Sequence, residues 1–226
     1  VPLRVREFTA EFFGVFCIVF MGSGSIMMSA RSGSQSALLA GGVAYAMIIA
    51  ALVASMSHLS SHFNPAVTVG MVALRRTGIV DGVTKITAQC AGGIVGAWTL
   101  SQLFPVTLLR DSRIGGTRLA EEVPFMQGLA LEAIATGILM LVILGVVRNA
   151  LRPGIAGVVV GFAVGALVLC IGPLTGASLN PARSLGPAMV SGIWEAHLVY
   201  WFGPTLGALA AALVWMFLLD RGEARA

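Results

Sequence analysis

Between Ser32 and Leu74 the chain runs for 43 residues without a Lys, Arg, Asp or Glu. A helix crossing a bilayer needs about 20 mostly apolar residues. The stretch is therefore too long for one span and too short for two spans joined by an ordinary loop. A span followed by a half-span that dips in and returns fits its length. From Pro153 to Ala182 a further 30 residues are uncharged and raise the same expectation. Irregular backbone at membrane depth survives only where it is buried in protein or lines a water-filled cavity. Two re-entrant segments thus predict a wet pathway.

The remainder of the 226 residues agrees. Apolar residues make up 57% and charged residues only 11%, against about 25% charged in soluble domains. Such a chain cannot build a charged shell, which excludes a soluble enzyme, a nucleic-acid binder and a disordered protein. A β-barrel would show short alternating segments in place of long apolar runs. Six spans are expected near 8–29, 35–57, 80–103, 125–147, 154–172 and 196–219. Glu11 lies inside the first, where the core of a secretory signal would be uncharged. Cys17, Cys90 and Cys170 each sit inside an apolar run, so no disulfide framework is expected. The chain opens on Val1, so a trimmed start is expected.

With the N-terminus inside, the inner segments carry Arg4, Arg6, Arg75, Arg76, Lys85, Arg148, Arg152, Arg221 and Arg225. The outer loops carry Arg31, Arg110, Arg113 and Arg118. The excess of inner positive charge predicts that both termini are cytoplasmic. Arg183 belongs to neither set, which points to another task.

The chain also repeats itself. Asn64-Pro65-Ala66-Val67-Thr68-Val69-Gly70 returns as Asn180-Pro181-Ala182-Arg183-Ser184-Leu185-Gly186, 116 residues later. The first repeat covers about residues 7–103 and the second about 125–219, within one domain spanning 1–226. Three spans per half is an odd number, so the halves must be inverted. Inverted repeats place their shared site near the bilayer midplane, often with broken helices whose N-termini point inward. Asn is a favoured N-cap and Pro a favoured first helical residue, so each box starts a short helix. Each start carries roughly half a positive charge, and two meeting at the midplane repel cations. Glu11 and Glu132 open the two halves. A carboxylate is costly in lipid and should face the bundle interior, where each is expected to accept hydrogen bonds from N–H groups of a re-entrant loop. The pairs Gly92 and Gly96, and Gly203 and Gly207, have the small-residue spacing that lets helices approach closely.

The paired Asn-Pro-Ala boxes, the six spans, the two glutamates and the extended second box Asn-Pro-Ala-Arg-Ser-Leu-Gly-Pro-Ala resemble the aquaporins, the major intrinsic protein family, from about Glu7 to Leu219. The resemblance implies an all-α membrane fold of six transmembrane helices plus two re-entrant half-helices in an inverted repeat. It implies a homotetramer with a pore in each subunit, and passive flux of water or small neutral solutes. No cofactor, metal or nucleic-acid partner is implied; the partners are the permeants and the lipid bilayer. Aligning on the boxes places the outer constriction at Tyr45, Val168, Ala177 and Arg183. The loop before Asn64 is one residue shorter than in many members and lacks their Gly, so Ala44 replaces Tyr45 if the gap lies elsewhere. By analogy His62 lines the inner pore, and the carbonyls of Gly176, Ala177 and Ser178 line the outer one. Strict water channels usually carry His at the Val168 position. An aromatic, Val, Ala, Arg set is similar to plant nodulin-like and microbial intermediate channels, which pass small neutral solutes, metalloid hydroxides among them. A strictly water-selective channel is the alternative. An ion-coupled transporter would offer only Glu11, Glu132 and Arg183 as ionisable groups, and an intramembrane serine protease built on Ser25 with His58 or His62 would leave the repeat unexplained.

Overall fold

The computed structural model describes residues 2–31 and 37–219. Among these, helices account for almost all regular structure. The helix α1 (Leu3–Cys17) runs through a π-helical turn (Ile18–Ser23) into α2 (Gly24–Arg31). It is followed by α3 (Ala37–Met56), the short α4 (Pro65–Ala73) and α5 (Ile79–Leu103). A surface helix, α6 (Val106–Ser112), joins the halves. The second half contains α7 (Phe125–Arg148), α8 (Pro153–Thr175), the short α9 (Pro181–Ser191) and α10 (Val199–Val214), which ends in a π turn (Trp215–Leu219).

The halves interlock. In the first, α1 packs on α5; in the second, α7 packs on α10. Each short helix crosses over, α4 lying mainly on α10 and α9 mainly on α5, while α3 and α8 join the halves along their length. Glycines bring these helices to backbone contact. A Cβ at Gly92 would stand 2.1 Å from the Phe12 carbonyl oxygen, and one at Gly207 would stand 1.9 Å from that of Ala133. Without a hydrophobic driving force between helices in lipid, such close packing is a main source of association. Large apolar side chains such as Met47, Phe162, Ile134 and Phe217 stay exposed on the outside, as a surface facing hydrocarbon requires.

Five of the long helices are long and apolar enough to cross a membrane. The sequence leads to an expectation of six. The remaining expected span, near 80–103, coincides with α5, which has the length, 25 residues, and a lower hydropathy because its buried face carries Lys85 and Gln89. The first span also begins earlier than expected, at Leu3 and not near residue 8. Its early charges are matched by α5, through Arg4–Asp81 at 3.0 Å and Lys85–Glu7 at 3.4 Å. The expected start of the second span at residue 35, and Arg221 and Arg225, lie outside the described residues.

Candidate functional site

The two short helices start as the Asn-Pro chemistry dictates. Asn64 and Asn180 are extended N-caps, each followed by Pro at the first helical position. The Asn64 Oδ1 accepts from the Ala66 N–H at 2.9 Å. The Asn180 Oδ1 accepts from the N–H groups of Ala182 and Arg183, at 3.1 and 3.3 Å. The side-chain nitrogens cross over. Asn64 Nδ2 donates to the Leu179 carbonyl at 2.7 Å, and Asn180 Nδ2 donates to the Phe63 carbonyl at 2.7 Å. Phe63 and Leu179 each precede an asparagine, and both have left-handed backbones, with φ of 50° and 56°. Non-glycine residues seldom adopt that conformation. Each reverses the chain into the cap, and its carbonyl is the one the opposite asparagine takes.

The two glutamates hold the loops that make these turns. Glu11 and Glu132 are fully buried. The Glu11 carboxylate accepts from the N–H groups of His62 and Phe63, at 2.8 and 2.6 Å, and from Ser60 Oγ and Gln89 Nε2. Glu132 accepts from the N–H groups of Ser178 and Leu179, at 2.9 and 2.8 Å, and from Thr175 Oγ1. In both halves the acid binds the two backbone N–H groups just before the asparagine. A buried carboxylate is tolerable when such donors surround it. The halves differ in what else surrounds the acid. Lys85 Nζ donates to Ser60 Oγ at 2.7 Å and so reaches Glu11 through one hydroxyl. In the second half the Tyr200 hydroxyl donates to the Thr175 carbonyl at 2.9 Å.

A central cavity of about 300 Å³ runs between the halves. Asn64, Asn180, His62, Ser178, Tyr45, Val168, Ala177 and Arg183 all line it, whereas Pro65, Ala66, Pro181 and Ala182 are buried behind it in the helix starts. Ala44 is not among its lining residues, so α3 turns Tyr45 inward. The Arg183 guanidinium lies over the Tyr45 ring, 5.2 Å from its centroid. Arg183 Nε and Nη1 and the Tyr45 hydroxyl are buried without a hydrogen-bond partner among the described residues. Both residues line the cavity, and a buried polar atom without a protein partner calls for an explanation such as water or a ligand. In the first box Val67 stands where Arg183 stands in the second and also lines the cavity, so the fixed positive charge is at one end only.

Two further chambers continue the cavity. One of about 420 Å³ shares Ser57, Ser61 and His62 with it and is bordered by Glu7, Asp81 and Lys85. The other, of about 620 Å³, shares Val168 and is bordered by Arg113, Arg118, Glu121 and Glu195. Gly176 belongs to this second chamber and not to the central cavity.

Sequence reasoning missed the apolar wall of the cavity. Ile49 and Val53 on α3 follow Tyr45 at four-residue steps, and Val160 and Val164 on α8 precede Val168 at the same step. That spacing marks one helix face and was there to be read. The carbonyls of Phe63 and Leu179, and the roles of Lys85 and Gln89, had no local signal.

The comparisons with known proteins agree with this geometry. The profile of the family described as Major intrinsic protein matches residues 2–215. The chain is 40% identical to Aquaporin C of Dictyostelium discoideum, over 96% of this chain and 81% of that one. It is 36% identical to Aquaporin TIP4-4 of Zea mays, over 97% and 89%. Among solved structures it is similar to the aquaglyceroporin from Plasmodium falciparum, with a TM-score of 0.81 and 25% identity over 95% of this chain and 96% of that one. Paired asparagine caps at the centre of an inverted helical bundle, a buried arginine at one mouth and a match along nearly the whole chain have one explanation: the protein belongs to the major intrinsic protein family, the aquaporins.

Proposed function

We propose that this multi-pass membrane protein is a passive channel for water and small neutral solutes, glycerol among them, with its selectivity filter at Tyr45, Val168, Ala177 and Arg183. The observation that carries the reading is a cavity lined by both asparagine caps together with Arg183 and Tyr45, where Arg183 Nε and Nη1 and the Tyr45 hydroxyl have no partner among the described residues. A permeant shedding water at the constriction finds replacement hydrogen bonds on that side and the apolar Val168 and Ala177 on the other. Val168 adds neither the bulk nor the donor of a histidine, which favours permeants larger than water. Metalloid hydroxides have the same size and neutrality. The likeness to the Plasmodium falciparum aquaglyceroporin supports the same reading.

At the midplane the permeant's oxygen meets Asn64 and Asn180. Each amide has two N–H donors, and one is already given to the opposite loop. The second is available to the permeant. The N-termini of α4 and α9 supply roughly half a positive charge each. Together these orient the passing oxygen and repel hydronium and cations. His62 and the carbonyl of Ser178 complete the lining, and the Gly176 carbonyl serves the outer chamber. No bond is made or broken, so the protein acts as a channel and not as an enzyme, without cofactor or metal.

The distribution of Arg and Lys favours cytoplasmic termini in a cell membrane. The family resemblance favours a homotetramer with one pore per subunit and two repeats, about 7–103 and 125–219, in a single domain. Stopped-flow light scattering on proteoliposomes tests the permeant. Shrinkage in an impermeant osmolyte reads water flux, and swelling in glycerol reads solute flux. Both fast supports the reading. Fast water with no glycerol uptake leaves a strict water channel, and neither overturns it.

A further inference from the structure

The Tyr45 ring has a second neighbour besides Arg183. It lies against Gly22, in the π turn of the first helix. A Cβ placed on Gly22 would stand 2.2 Å from Tyr45 Cε1, 2.3 Å from Cζ and 2.7 Å from Cδ1. Ordinary contact begins at 3.4 Å, so any side chain at residue 22 displaces the ring by more than about 1 Å in an interior with few voids. All three of the nearest atoms belong to Tyr45. The ring is otherwise buried, with 3% of the residue exposed, and its free side is the cavity.

The π turn is what makes this seat. Eight residues before Gly22, Gly14 accommodates another ring: a Cβ there would stand 2.1 Å from Phe63 Cδ1. In an unbroken α-helix, residues eight apart differ by about 80° around the axis. The π turn at Ile18–Ser23 takes up one extra residue, so the spacing acts as seven and the two glycines fall within about 20°. Ile18, between them, lines the cavity. One face of the first helix thus receives both the residue beside the Asn64 cap and the aromatic residue of the constriction.

We infer that Gly22 is a positioning residue for selectivity: the π turn presents it as the seat that holds the Tyr45 ring back from Arg183, and this sets the bore of the outer constriction. The inference rests on the reading that Tyr45 and Arg183 form the filter. It is tested with Gly22→Ala, Tyr45→Ala and the double variant, each reconstituted at equal protein density and checked as a monodisperse, folded sample in detergent. Osmotic water flux and glycerol flux are read for all. Gly22→Ala is expected to lower water flux at least fivefold and glycerol flux further. Tyr45→Ala is expected to raise glycerol flux. Adding Gly22→Ala to Tyr45→Ala is then expected to change either flux by less than twofold, because the ring that would be displaced is gone. A similar loss in both backgrounds overturns the seat while leaving the filter intact. A full-flux Gly22→Ala channel also overturns the seat. An unchanged Tyr45→Ala channel overturns the filter reading and the seat with it.

Discussion

Asn64 and Asn180 are clamped across the two halves of the chain. Each caps its own helix with its side-chain oxygen and donates its side-chain nitrogen, at 2.7 Å, to the carbonyl just before the other asparagine. The repeat is therefore closed at its centre by two reciprocal hydrogen bonds between residues more than a hundred positions apart in sequence. Neither helix start can shift without disturbing the other.

Asn180→Ala removes the cap of α9 and orphans the Phe63 carbonyl. A lost cap costs about 1 kcal/mol and an unpaired buried carbonyl about 1–3 kcal/mol. The apparent melting temperature in detergent is expected to fall by about 5–10 °C, with lower water flux per folded channel. Scanning fluorimetry and stopped-flow scattering on the same sample check both.

Arg183→Val makes the second box like the first. A unit charge at about 4 Å, with an effective dielectric constant of about 20, contributes about 4 kcal/mol to cation exclusion. Losing even a third of that raises proton or cation leak about tenfold. Water flux is expected to persist. A pH-sensitive dye trapped in proteoliposomes reads the leak, and an unchanged leak would remove Arg183 from the exclusion mechanism.

Val168→His adds bulk and a donor to the wall of the cavity that Arg183 also lines. Glycerol flux is expected to fall about tenfold while water flux falls less than about threefold, since steric selection acts first on the larger permeant. Equal suppression of both would place residue 168 outside the constriction.

Ala177→Cys introduces a thiol into the cavity wall. Cys17, Cys90 and Cys170 are free, and none lines the central cavity. The native channel is expected to keep its water flux in the presence of a mercurial. The variant is expected to lose most of its flux and recover it with a reducing agent. Block of the native channel would mean that one of the native cysteines controls the pathway.

Several of these features were legible from local chemistry. The Asn-Pro caps depend on contacts within three residues, so the two helix starts followed from the sequence. The glutamates were legible because a buried carboxylate needs donors, and the re-entrant loops were the nearby source. The four-residue stripes through Tyr45 and Val168 were also legible in principle. The span near 80–103 was legible as α5, but not the partners of its buried Lys85 and Gln89, which are Glu7, Ser60 and Glu11, none of which adjoins them in sequence. Gly176 lines the chamber beyond Val168 and not the central cavity, because its left-handed turn at the end of α8, with φ of 77°, comes before the chain dips toward the asparagine.

Hydropathy and capping chemistry alone dictate a membrane-embedded helical bundle, an inverted repeat, two helix starts and two acids to hold them. These depend on hydropathy and on short-range capping, which act over a few residues. The tertiary structure decided which face each helix turns to the pathway. It chose Tyr45 over Ala44, paired each asparagine with a carbonyl from the opposite half, and set the 5.2 Å between Arg183 and the Tyr45 ring. Those outcomes depend on how α1, α3 and α8 pack, and on a π turn inside residues 12–30, where no proline or charge announces it. Packing between distant segments sums many weak contacts over the whole chain, and no local window of sequence contains it.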